Sequence, residues 1–598
     1  MAWSGRLDSV TYRLKIMNHN QEIEAFVERL LEADSNPANL LQHMISIQHA
    51  FGAVPPDAVR LLATRLGRSD GQVRAVASFY SLLNLDQPRR YQILFSDNIT
   101  DRYQGNAGLM QRLKDSLPGA DASIGYTSCS GLCDQGPGML VNGCAINRVD
   151  PGRIDQMARL VQDGIAVEAW PDDWFAIESN IRRRDIQFES RFEPGDALRR
   201  WAEQEPQDLI REIEAAGLRG RGGAGFPTAT KWRFCREADG DTRYVVCNAD
   251  EGEPGTFKDR VLLDLYADEM FEGMTLCAQA IGAPKGFVYL RGEYRFLLDK
   301  LQQTLDRRRQ DGLLGRDVAG YPGFHFDIEI HLGAGAYICG EESALINSLE
   351  GKRGNPRLRP PFPVERGYLD QPTVVDNVET FWSAAHIAVH GAEWFSRVGN
   401  AQSAGTRLLS ISGDCANPGV YEYPFGVSLN TILADCGGED AQAVQMAGAA
   451  GHTVLRPDFG RILSFDDLVT GGSFMVIGPE RDLLDLLHNF AVFFEHESCG
   501  FCTPCRVGTR LIYEIIDAFR QGRGSTPMID QLRDVGMLMQ RDSFCGLGSS
   551  APTAFLDALN QSPELFGSRL AQQEGPVFDL EEALAEFRSV VDQEVEHA

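Results

Sequence analysis

The sequence contains neither a long apolar run nor an excess of basic residues. No segment reaches the 18 consecutive apolar residues that indicate a membrane-spanning helix. The N-terminal residues lack the apolar core of a signal peptide, so we expect an unsecreted, cytoplasmic protein. With 57 Lys and Arg against 84 Asp and Glu, the formal charge is −27. This deficit of positive charge argues against binding to nucleic acid or to an anionic membrane surface.

Cysteine, in contrast, occurs 13 times. In an unsecreted chain this number indicates metal and redox chemistry rather than disulfides. The chain has 598 residues and 43% hydrophobic residues, which predicts several globular domains with substantial cores.

The densest cysteine motif lies near the C-terminal end. Cys499, Cys502 and Cys505 have Cys-x2-Cys-x2-Cys spacing, and Cys545 follows. Three closely spaced thiolates can bind different irons of a cubane cluster, and a distant cysteine supplies the last ligand. Zinc usually takes two separated Cys-x2-Cys pairs, and reduced structural thiols are the other alternative. The spacing favours a [4Fe-4S] cluster. A non-catalytic scaffold with structural zinc is the alternative of another class, and such a protein would be colourless.

A glycine-dense segment, residues 218–228, has four glycines within six positions. Glycine lets backbone amides approach a ligand closely and turn inward as an anion-binding nest. A helix is predicted to follow, with Thr228 as its cap and Lys231 one turn in. A glycine loop that opens a helix is a sound phosphate cradle, although a flexible turn is the alternative.

Polar residues follow the buried strand predicted at residues 244–247. Asn248, Asp250, Glu251 and Glu253 suit ribityl or ribose hydroxyls, or the edge of a flavin ring, because ligands gather at the carboxyl ends of parallel strands. A solvated turn is the alternative interpretation.

Two further segments have ligand-binding features. A second glycine loop at residues 333–342 ends in Glu341 and Glu342 at the start of a helix, where acids also suit the helix dipole. Prolines stiffen residues 357–363, which carry Arg359 and Phe362. This arm could clamp a phosphate and stack on a base.

In this order, the motifs resemble the NADH-oxidising flavoprotein subunit of respiratory complex I and its soluble relatives. The resemblance runs from about residue 205 to the C-terminus. Residues 21–165 look like the companion subunit of that family, here fused to the same chain. This fusion is most similar to the diaphorase subunit of soluble NAD-reducing [NiFe] hydrogenases.

The resemblance implies a multidomain α/β and α+β fold. The expected parts are a tail (1–20), a helical bundle (21–87), a thioredoxin-like domain (88–165), a linker (166–204), a Rossmann-like FMN domain (205–397), a ubiquitin-like β-grasp module (398–481) and a helical [4Fe-4S] domain (482–598).

The resemblance also implies three sets of site residues. The FMN set is Gly220, Gly222, Gly223, Lys231, Asn248, Asp250, Glu251, Tyr337, Gly340, Glu341, Asp376 and Asn377. The NAD set is Phe226, Phe234, Glu253, Glu342, Arg359 and Phe362. The cluster ligands are Cys499, Cys502, Cys505 and Cys545. Asp376 stands where the family generally has asparagine, and Arg359 where relatives carry lysine.

The companion domain departs from its family at one site. The family binds a [2Fe-2S] cluster with two cysteine pairs, and this chain keeps only the second pair, Cys129 and Cys133. Ser96 and Asp101 stand at the first pair, and with Cys144 nearby the thiols number three rather than four. We predict that this cluster is absent and that the domain is a structural or docking element.

The implied function is an NAD(H):FMN oxidoreductase that passes electrons between NAD(H), FMN and the [4Fe-4S] cluster. The expected partners are a small iron–sulfur electron-transfer subunit and the subunits of a [NiFe] hydrogenase, whose hydrogen oxidation supplies electrons for NAD⁺ reduction. The alternatives are the electron-entry flavoprotein of a formate dehydrogenase or of a complex I-type NADH dehydrogenase. Flavin carries out hydride transfer, so no catalytic side chain is predicted.

Overall fold

A computed structural model describes residues 21–85, 88–201 and 204–571. The described residues form two compact units that divide after Pro479. The predicted tail, residues 1–20, lies outside the described residues, as do residues 572–598 of the predicted cluster domain.

The first unit begins with a small helical bundle. Its helices span residues 21–33, Leu40–Phe51, Pro56–Arg65 and Asp70–Ala77. Apolar residues at helical spacing form its interior: Ile23, Val27, Leu40, Leu41, Met44, Ile47, Val59 and Leu62. The fourth helix starts with a capping box, in which Ser69 and Gln72 satisfy each other's backbone amides.

A four-stranded sheet follows in the predicted thioredoxin-like region. Its strands are β1 (Tyr91–Ser96), β2 (Ala122–Thr127), β3 (Met139–Val141) and β4 (Cys144–Ile146), in the order β2-β1-β3-β4. β1 is parallel to β2, whereas β3 is antiparallel to both β1 and β4. The accompanying helices are Ile99–Tyr103, Asn106–Ser116 and Pro151–Gln162.

The segment predicted as a linker is ordered and packed. Trp170 and Trp174 are buried in the core of the four-stranded sheet domain. A short strand, β5 (Ile181–Arg183), comes next, and the helices Ile186–Glu189 and Asp196–Trp201 follow it. Large aromatic side chains bury too much apolar surface to be left in a solvated connection.

The predicted FMN domain contains a parallel sheet of four strands. They are β6 (Tyr244–Ala249), β7 (Lys285–Leu290), β8 (Asp327–Leu332) and β9 (Thr373–Asn377), in the order β8-β7-β6-β9. The larger helices of the domain are Pro206–Ala215, Thr228–Glu237, Lys258–Leu265, Ala267–Ile281, Leu298–Gln310, Glu342–Leu349 and Val378–His390. Two shorter helices are Pro363–Arg366 and Ala392–Ser396.

A six-stranded mixed sheet completes the first unit. Its remaining strands are β10 (Thr406–Gly413), β11 (Gly419–Pro424), β12 (Ala443–Met446), β13 (Thr453–Leu455) and β14 (Ser473–Ile477), and its helix is Leu429–Cys436. The order is β13-β12-β14-β10-β11-β5. β5 pairs in parallel with β11, so the predicted linker supplies an edge strand of this sheet.

The second unit is helical. Its helices are Leu483–Glu497, Thr503–Arg520, Thr526–Asp542, Gly546–Ser550, Thr553–Gln561 and Pro563–Gly567. Across the described parts of the chain, no helix combines the length and the apolar character needed to cross a bilayer.

Candidate functional site

The carboxyl ends of β6 and β9 meet at one edge of the parallel sheet. Asn248 at the end of β6 pairs in register with Asn377 at the end of β9. The Asn248 amide donates a 2.7 Å hydrogen bond to the carbonyl of Gly340, which ties the second glycine loop to this edge. Asn377 caps the helix Val378–His390 by accepting from the backbone N–H of Glu379. The predicted polar residues therefore converge where open α/β sheets bind ligands.

The first glycine loop packs against the same edge. A Cβ added to Gly222 would lie 3.3 Å from the Cβ of Asn377, which leaves little room for a side chain. A Cβ on Gly223 would have no heavy atom within 4 Å, and this residue has φ of +143°, where glycine is favoured. The loop is thus closed on the side of β9 and open on the other, so bare backbone faces the open side.

Arg221, between these glycines, anchors the loop from the interior. Its side chain is fully buried, and its backbone N–H donates to Thr380 Oγ1 at 2.8 Å. Three rings surround the guanidinium at 5.0–5.9 Å from their centroids: Phe395, Phe425 and Phe465. Burial lowers the pKa of Arg221 to about 9. Sequence reasoning missed this role, because a cation in a glycine loop looks like a phosphate ligand.

Lys231 lies in an interior network of charges. Its Nζ is 3.3 Å from Asp376 Oδ1 and 3.6 Å from Glu342 Oε2, and it donates to the carbonyl of Val375. The Trp232 indole donates to the other oxygen of Asp376 at 2.9 Å. Burial opposes the charge of Lys231, but the two carboxylates outweigh it and raise the Lys231 pKa. Asp376, at the position where the family has a neutral amide, therefore has internal partners for its charge.

The two carboxylate oxygens of Glu341 have different partners. Its Oε2 accepts from the backbone N–H groups of Ser343 and Ala344 and so caps the helix Glu342–Leu349. Its Oε1 is buried without a hydrogen-bond partner. Arg359 Nη1 lies 3.4 Å from both Glu341 Oε1 and Glu342 Oε1, so the rigid arm reaches the acidic pair.

Three aromatic residues of the predicted NAD set are unusually exposed. Phe226, Phe234 and Phe362 have 45%, 50% and 47% of their surface in solvent. Exposed aromatic rings of this size often mark a ligand or partner site.

Glu253 connects the acidic loop after β6 to the six-stranded sheet module. One carboxylate oxygen accepts from the backbone N–H of Ala450 at 3.1 Å, and the other accepts from the Tyr337 hydroxyl. Burial raises the pKa of Glu253 to about 7. Any Cβ at Gly448 would collide with this carboxylate, so glycine is required there.

One predicted role is corrected, and one predicted ligand has partners within the protein. Both oxygens of Glu251 accept from the start of the helix Lys258–Leu265, and Oε2 also accepts from the Tyr294 hydroxyl. Its side chain therefore supports that helix, and its contact with FMN stays a prediction. Thr228 does not cap its helix: Pro227 occupies the cap position, and Thr228 is the first helical residue, with its hydroxyl buried.

In the second unit, the cysteine motif lies at the N-termini of two helices. Cys502 and Cys545 occupy the cap positions of the helices Thr503–Arg520 and Gly546–Ser550. The rings of Phe501 and Phe544 are 5.1 Å apart, which holds the two cysteine-bearing segments together.

The four thiols of this motif are close enough to influence one another. Burial raises the pKa of Cys505 to about 12. The hydrogen bond with Ser498 opposes this shift, and the charges of Cys502, Cys545 and Cys499 contribute to it. Within the described ranges, no three His, Cys, Asp or Glu side chains are arranged to hold a single metal ion. A cubane spreads its ligands over several irons, whereas zinc needs them around one centre.

In the thioredoxin-like domain, the two cysteines lie close to the residues that stand where the family has its first cysteine pair. Cys129 Sγ and Cys133 Sγ are buried and 3.6 Å apart. The Asn98 side-chain nitrogen lies 3.3 Å from Ser96 Oγ, 2.7 Å from Asp101 Oδ2, and 3.4 and 3.3 Å from the two sulfurs. Four side chains thus converge on one amide, which sequence reasoning did not identify.

Electrostatics differ among these converging groups. Burial raises the pKa of Asp101 to about 7. The hydrogen bond from Cys133 lowers the pKa of Cys129 to about 6, and the pKa of Cys133 rises well above its usual value.

Three family models match the chain in the expected order. A thioredoxin-like [2Fe-2S] ferredoxin model matches residues 24–162. The Nuo51 FMN-binding domain matches residues 213–386, and the NADH-ubiquinone oxidoreductase-F iron–sulfur binding region matches residues 485–569.

Similarity to individual proteins covers the whole order of domains. The NAD-reducing hydrogenase HoxS subunit alpha of Cupriavidus necator is 41% identical over 582 residues, covering 93% of this chain and 96% of that protein. An NADH-quinone oxidoreductase subunit of Escherichia coli is 38% identical over 380 residues, covering 61% of this chain and 85% of that protein.

A solved structure shows the same architecture. A crystal structure of NAD⁺-reducing [NiFe]-hydrogenase in the H2-reduced state superposes with a TM-score of 0.86 and 39% sequence identity. The match covers 94% of this chain and 97% of the other. This chain therefore belongs to the family of the alpha subunits of NAD-reducing hydrogenases.

Proposed function

We propose that this chain is the diaphorase subunit of an NAD-reducing [NiFe] hydrogenase, and that it binds FMN, NAD(H) and one [4Fe-4S] cluster. The observation that carries the proposal is the open glycine loop at the carboxyl edge of the parallel sheet, in the same chain as the four-cysteine motif. The family membership supports this combination.

The residues at the sheet edge fit FMN. The bare backbone around Gly223 offers amides to a phosphate, as anion-binding loops do. Glu341 Oε1 is buried and makes an ion-pair contact with Arg359 but no hydrogen bond, so it can still accept from a hydroxyl donor. The proposed contacts are Gly220, Gly222, Gly223, Lys231, Asn248, Asp250, Tyr337, Gly340, Glu341, Asp376 and Asn377, with Glu251 supporting them from the interior.

The nicotinamide nucleotide is proposed to bind between the exposed rings and the acidic pair. Phe362 stacks on adenine, and Arg359 holds a phosphate while Glu341 and Glu342 position its guanidinium. Phe226, Phe234, Glu253 and Glu342 complete this set. Bound FMN would accept a hydride from NADH, or return one to NAD⁺, and exchange the electrons singly with a one-electron carrier. The side chains hold the two rings in contact and keep water away.

Cys499, Cys502, Cys505 and Cys545 are proposed as the ligands of that carrier, a [4Fe-4S] cluster. We further propose that no [2Fe-2S] cluster binds in the thioredoxin-like domain. Two of the four converging groups there are oxygens, and the Asn98 amide fills the space between them. Iron analysis of the purified chain should give about four irons; about six would contradict this assignment.

The proposed partners are a small iron–sulfur subunit and the [NiFe] hydrogenase subunits, in the cytoplasm. A relative with hydrogenase function spans 93% of this chain, whereas the relative with quinone oxidoreductase function spans 61%. This difference favours hydrogenase over the electron-entry flavoprotein of a complex I-type enzyme or of a formate dehydrogenase.

The decisive experiment is affinity purification of the native complex from its host. We expect flavin, iron and nickel in the complex, bleaching of the flavin by NADH, and NAD⁺ reduction under hydrogen. If NADH bleaches the flavin but the complex lacks nickel and hydrogen-dependent activity, the flavin chemistry stands and the hydrogenase assignment is wrong.

A substitution on the rigid arm tests the nucleotide site. Phe362→Ala should raise the KM for NADH about tenfold, because stacking of a base on an aromatic ring contributes about 1–3 kcal/mol. Leu358→Ala is the matched control, since Leu358 lies on the same arm and is 70% exposed. Equal changes in KM for both variants would contradict the assigned stacking.

A further inference from the structure

The Cys129–Cys133 pair has no task in the proposed function. The two sulfurs are in van der Waals contact at 3.6 Å, on a loop in which three residues separate them. A disulfide needs the sulfurs at about 2.05 Å, so bridging requires a movement of less than 2 Å or so. Both side chains are buried, with 0% and 2% of their surface exposed, so only a small reagent can reach them.

The surroundings stabilise negative charge on the Cys129 sulfur. Cys129 Sγ accepts from the Asn98 amide and from the backbone N–H of Gly131, both at 3.4 Å. Cys133 Sγ accepts from the same amide at 3.3 Å. Hydrogen-bond donors of this kind favour the thiolate, which is the nucleophilic form of cysteine.

The cysteine loop is also connected to the acidic loop after β6. The carbonyl of Cys129 accepts a 2.6 Å hydrogen bond from Arg291, and Arg291 also donates to the carbonyl of Glu251. Gly131 packs so closely on Tyr294 that an added Cβ would lie 2.4 Å from its hydroxyl oxygen. That hydroxyl donates to Glu251 Oε2 at 2.9 Å. Two contacts therefore link the cysteine loop to residues 250–253 of the proposed flavin and nucleotide site.

We propose that Cys129 and Cys133 form a reversible dithiol–disulfide site that a peroxide oxidises, and that closure of the bridge alters NADH binding through Arg291 and Tyr294. The proposal rests on the proposed absence of a [2Fe-2S] cluster, since a cluster would occupy both sulfurs.

The chemistry balances with hydrogen peroxide as the oxidant. The Cys129 thiolate attacks one peroxide oxygen, which breaks the O–O bond and gives a sulfenic acid and, after protonation, one water. The Cys133 sulfur then attacks the Cys129 sulfur, which breaks the S–O bond, forms the S–S bond and releases a second water. Two thiols lose two protons and two electrons, and the peroxide gains them. A dithiol reductant such as dithiothreitol reverses the step.

The test uses the purified full-length chain with its cofactors. It is exposed to hydrogen peroxide, treated with catalase, unfolded in denaturant, alkylated and digested for mass spectrometry. We expect the segment that contains residues 129 and 133 to lose two hydrogens and to resist alkylation until dithiothreitol is added. The Cys133→Ser variant should form no bridge. The measurement is repeated in a Cys415→Ser background, because Cys415 and Cys436 form another close pair.

A kinetic measurement on the same samples tests the coupling. Oxidation should change the KM for NADH several-fold in the wild type and leave it unchanged in Cys133→Ser. Full alkylation of both cysteines after peroxide treatment overturns the proposal, and a bridge that forms without any change in KM overturns the coupling. Iron analysis separates the causes. About six irons would also overturn the proposed absence of the [2Fe-2S] cluster, whereas about four irons without a bridge would overturn the dithiol site alone.

Discussion

The two cysteine sites of this chain differ in what surrounds the sulfurs. In the second unit, Cys502 and Cys545 stand at helix starts, and the four thiols of the motif influence one another electrostatically. In the thioredoxin-like domain, two buried thiols share one amide, that of Asn98, with a hydroxyl and a carboxyl group.

If no cluster binds in the thioredoxin-like domain, as we propose, the polar groups of that site must still find partners. Buried polar groups without partners cost free energy, so cysteines cannot be lost from a buried site unless other contacts replace the metal bonds. Here the Asn98 amide supplies hydrogen bonds, and Ser96 donates to Asp101 at 2.6 Å. The domain can therefore keep its fold and its contacts with the flavin domain without a cluster.

The largest effect is expected at the four-cysteine site. Cys502→Ser removes a proposed cluster ligand, so hydrogen-driven NAD⁺ reduction by the complex should fall to background while NADH still bleaches the flavin. Stopped-flow absorbance and hydrogen-dependent turnover measure the two reactions. Cys144→Ser is the control, because Cys144 belongs to neither set. If FMN stays bound but NADH no longer bleaches it, the division of roles between flavin and cluster is wrong.

An intermediate effect is expected at Asn98. Asn98→Ala leaves buried acceptors without their shared donor, which costs about 1–3 kcal/mol. We expect a lower thermal midpoint for the first unit, followed by differential scanning calorimetry. Gln92→Ala removes another amide side chain, from β1 of the same domain, and should have a much smaller effect. An equal decrease of the thermal midpoint in both variants would mean that the Asn98 amide does not hold the converging groups.

A third effect, which depends on pH, is expected at Asp101. Its pKa is about 7 in the folded chain against 3.8 as the reference value, so the folded state holds an extra proton between these pH values. This carboxyl group therefore favours folding at low pH, and its contribution declines as pH rises towards 7, by up to about 1.4 kcal/mol per pH unit. At higher pH the contribution of Asp101 to the free energy of folding does not change further.

Asp101→Asn should remove this component of the pH dependence. The midpoint itself should also fall. Both oxygens of Asp101 accept, from the Gly138 N–H and from the Asn98 amide, whereas the new amide has a single oxygen and its NH2 group must face one of these donors. The diagnostic measurement is therefore the slope of the thermal midpoint between pH 5 and 7 or so, relative to the wild type. An unchanged slope would show that Asp101 is ionised throughout that range.

Local patterns made the family predictable and indicated the site positions that we propose. The Cys-x2-Cys-x2-Cys spacing, the two glycine loops and the polar residues after β6 are each contained in a short segment. Their chemistry depends on backbone freedom and on ligand type, which short-range sequence specifies. The helices and strands that position them also follow from local periodicity.

Long-range contacts accounted for what was missed. Arg221 looked like part of a phosphate loop, but rings more than 170 positions away bury it. The part of Glu251 in supporting the helix that follows it was also not foreseen. The predicted linker supplies β5, which pairs with β11 more than 230 positions later in the chain. Without β5, the backbone groups along that edge of β11 would have no strand to pair with.

The sequence by itself determined the chemistry available to this protein: which thiols, glycines and aromatic rings are present, and in what order. Only the tertiary structure decided which of them act together, because side chains distant in sequence meet only after the sheets form. It brought Ser96, Asn98 and Asp101 to the two thiols of the thioredoxin-like domain, and it directed Arg221 into the interior while its neighbouring glycines face outward. Spacing can specify a metal motif, whereas burial and hydrogen bonding decide what becomes of one that has lost its ligands.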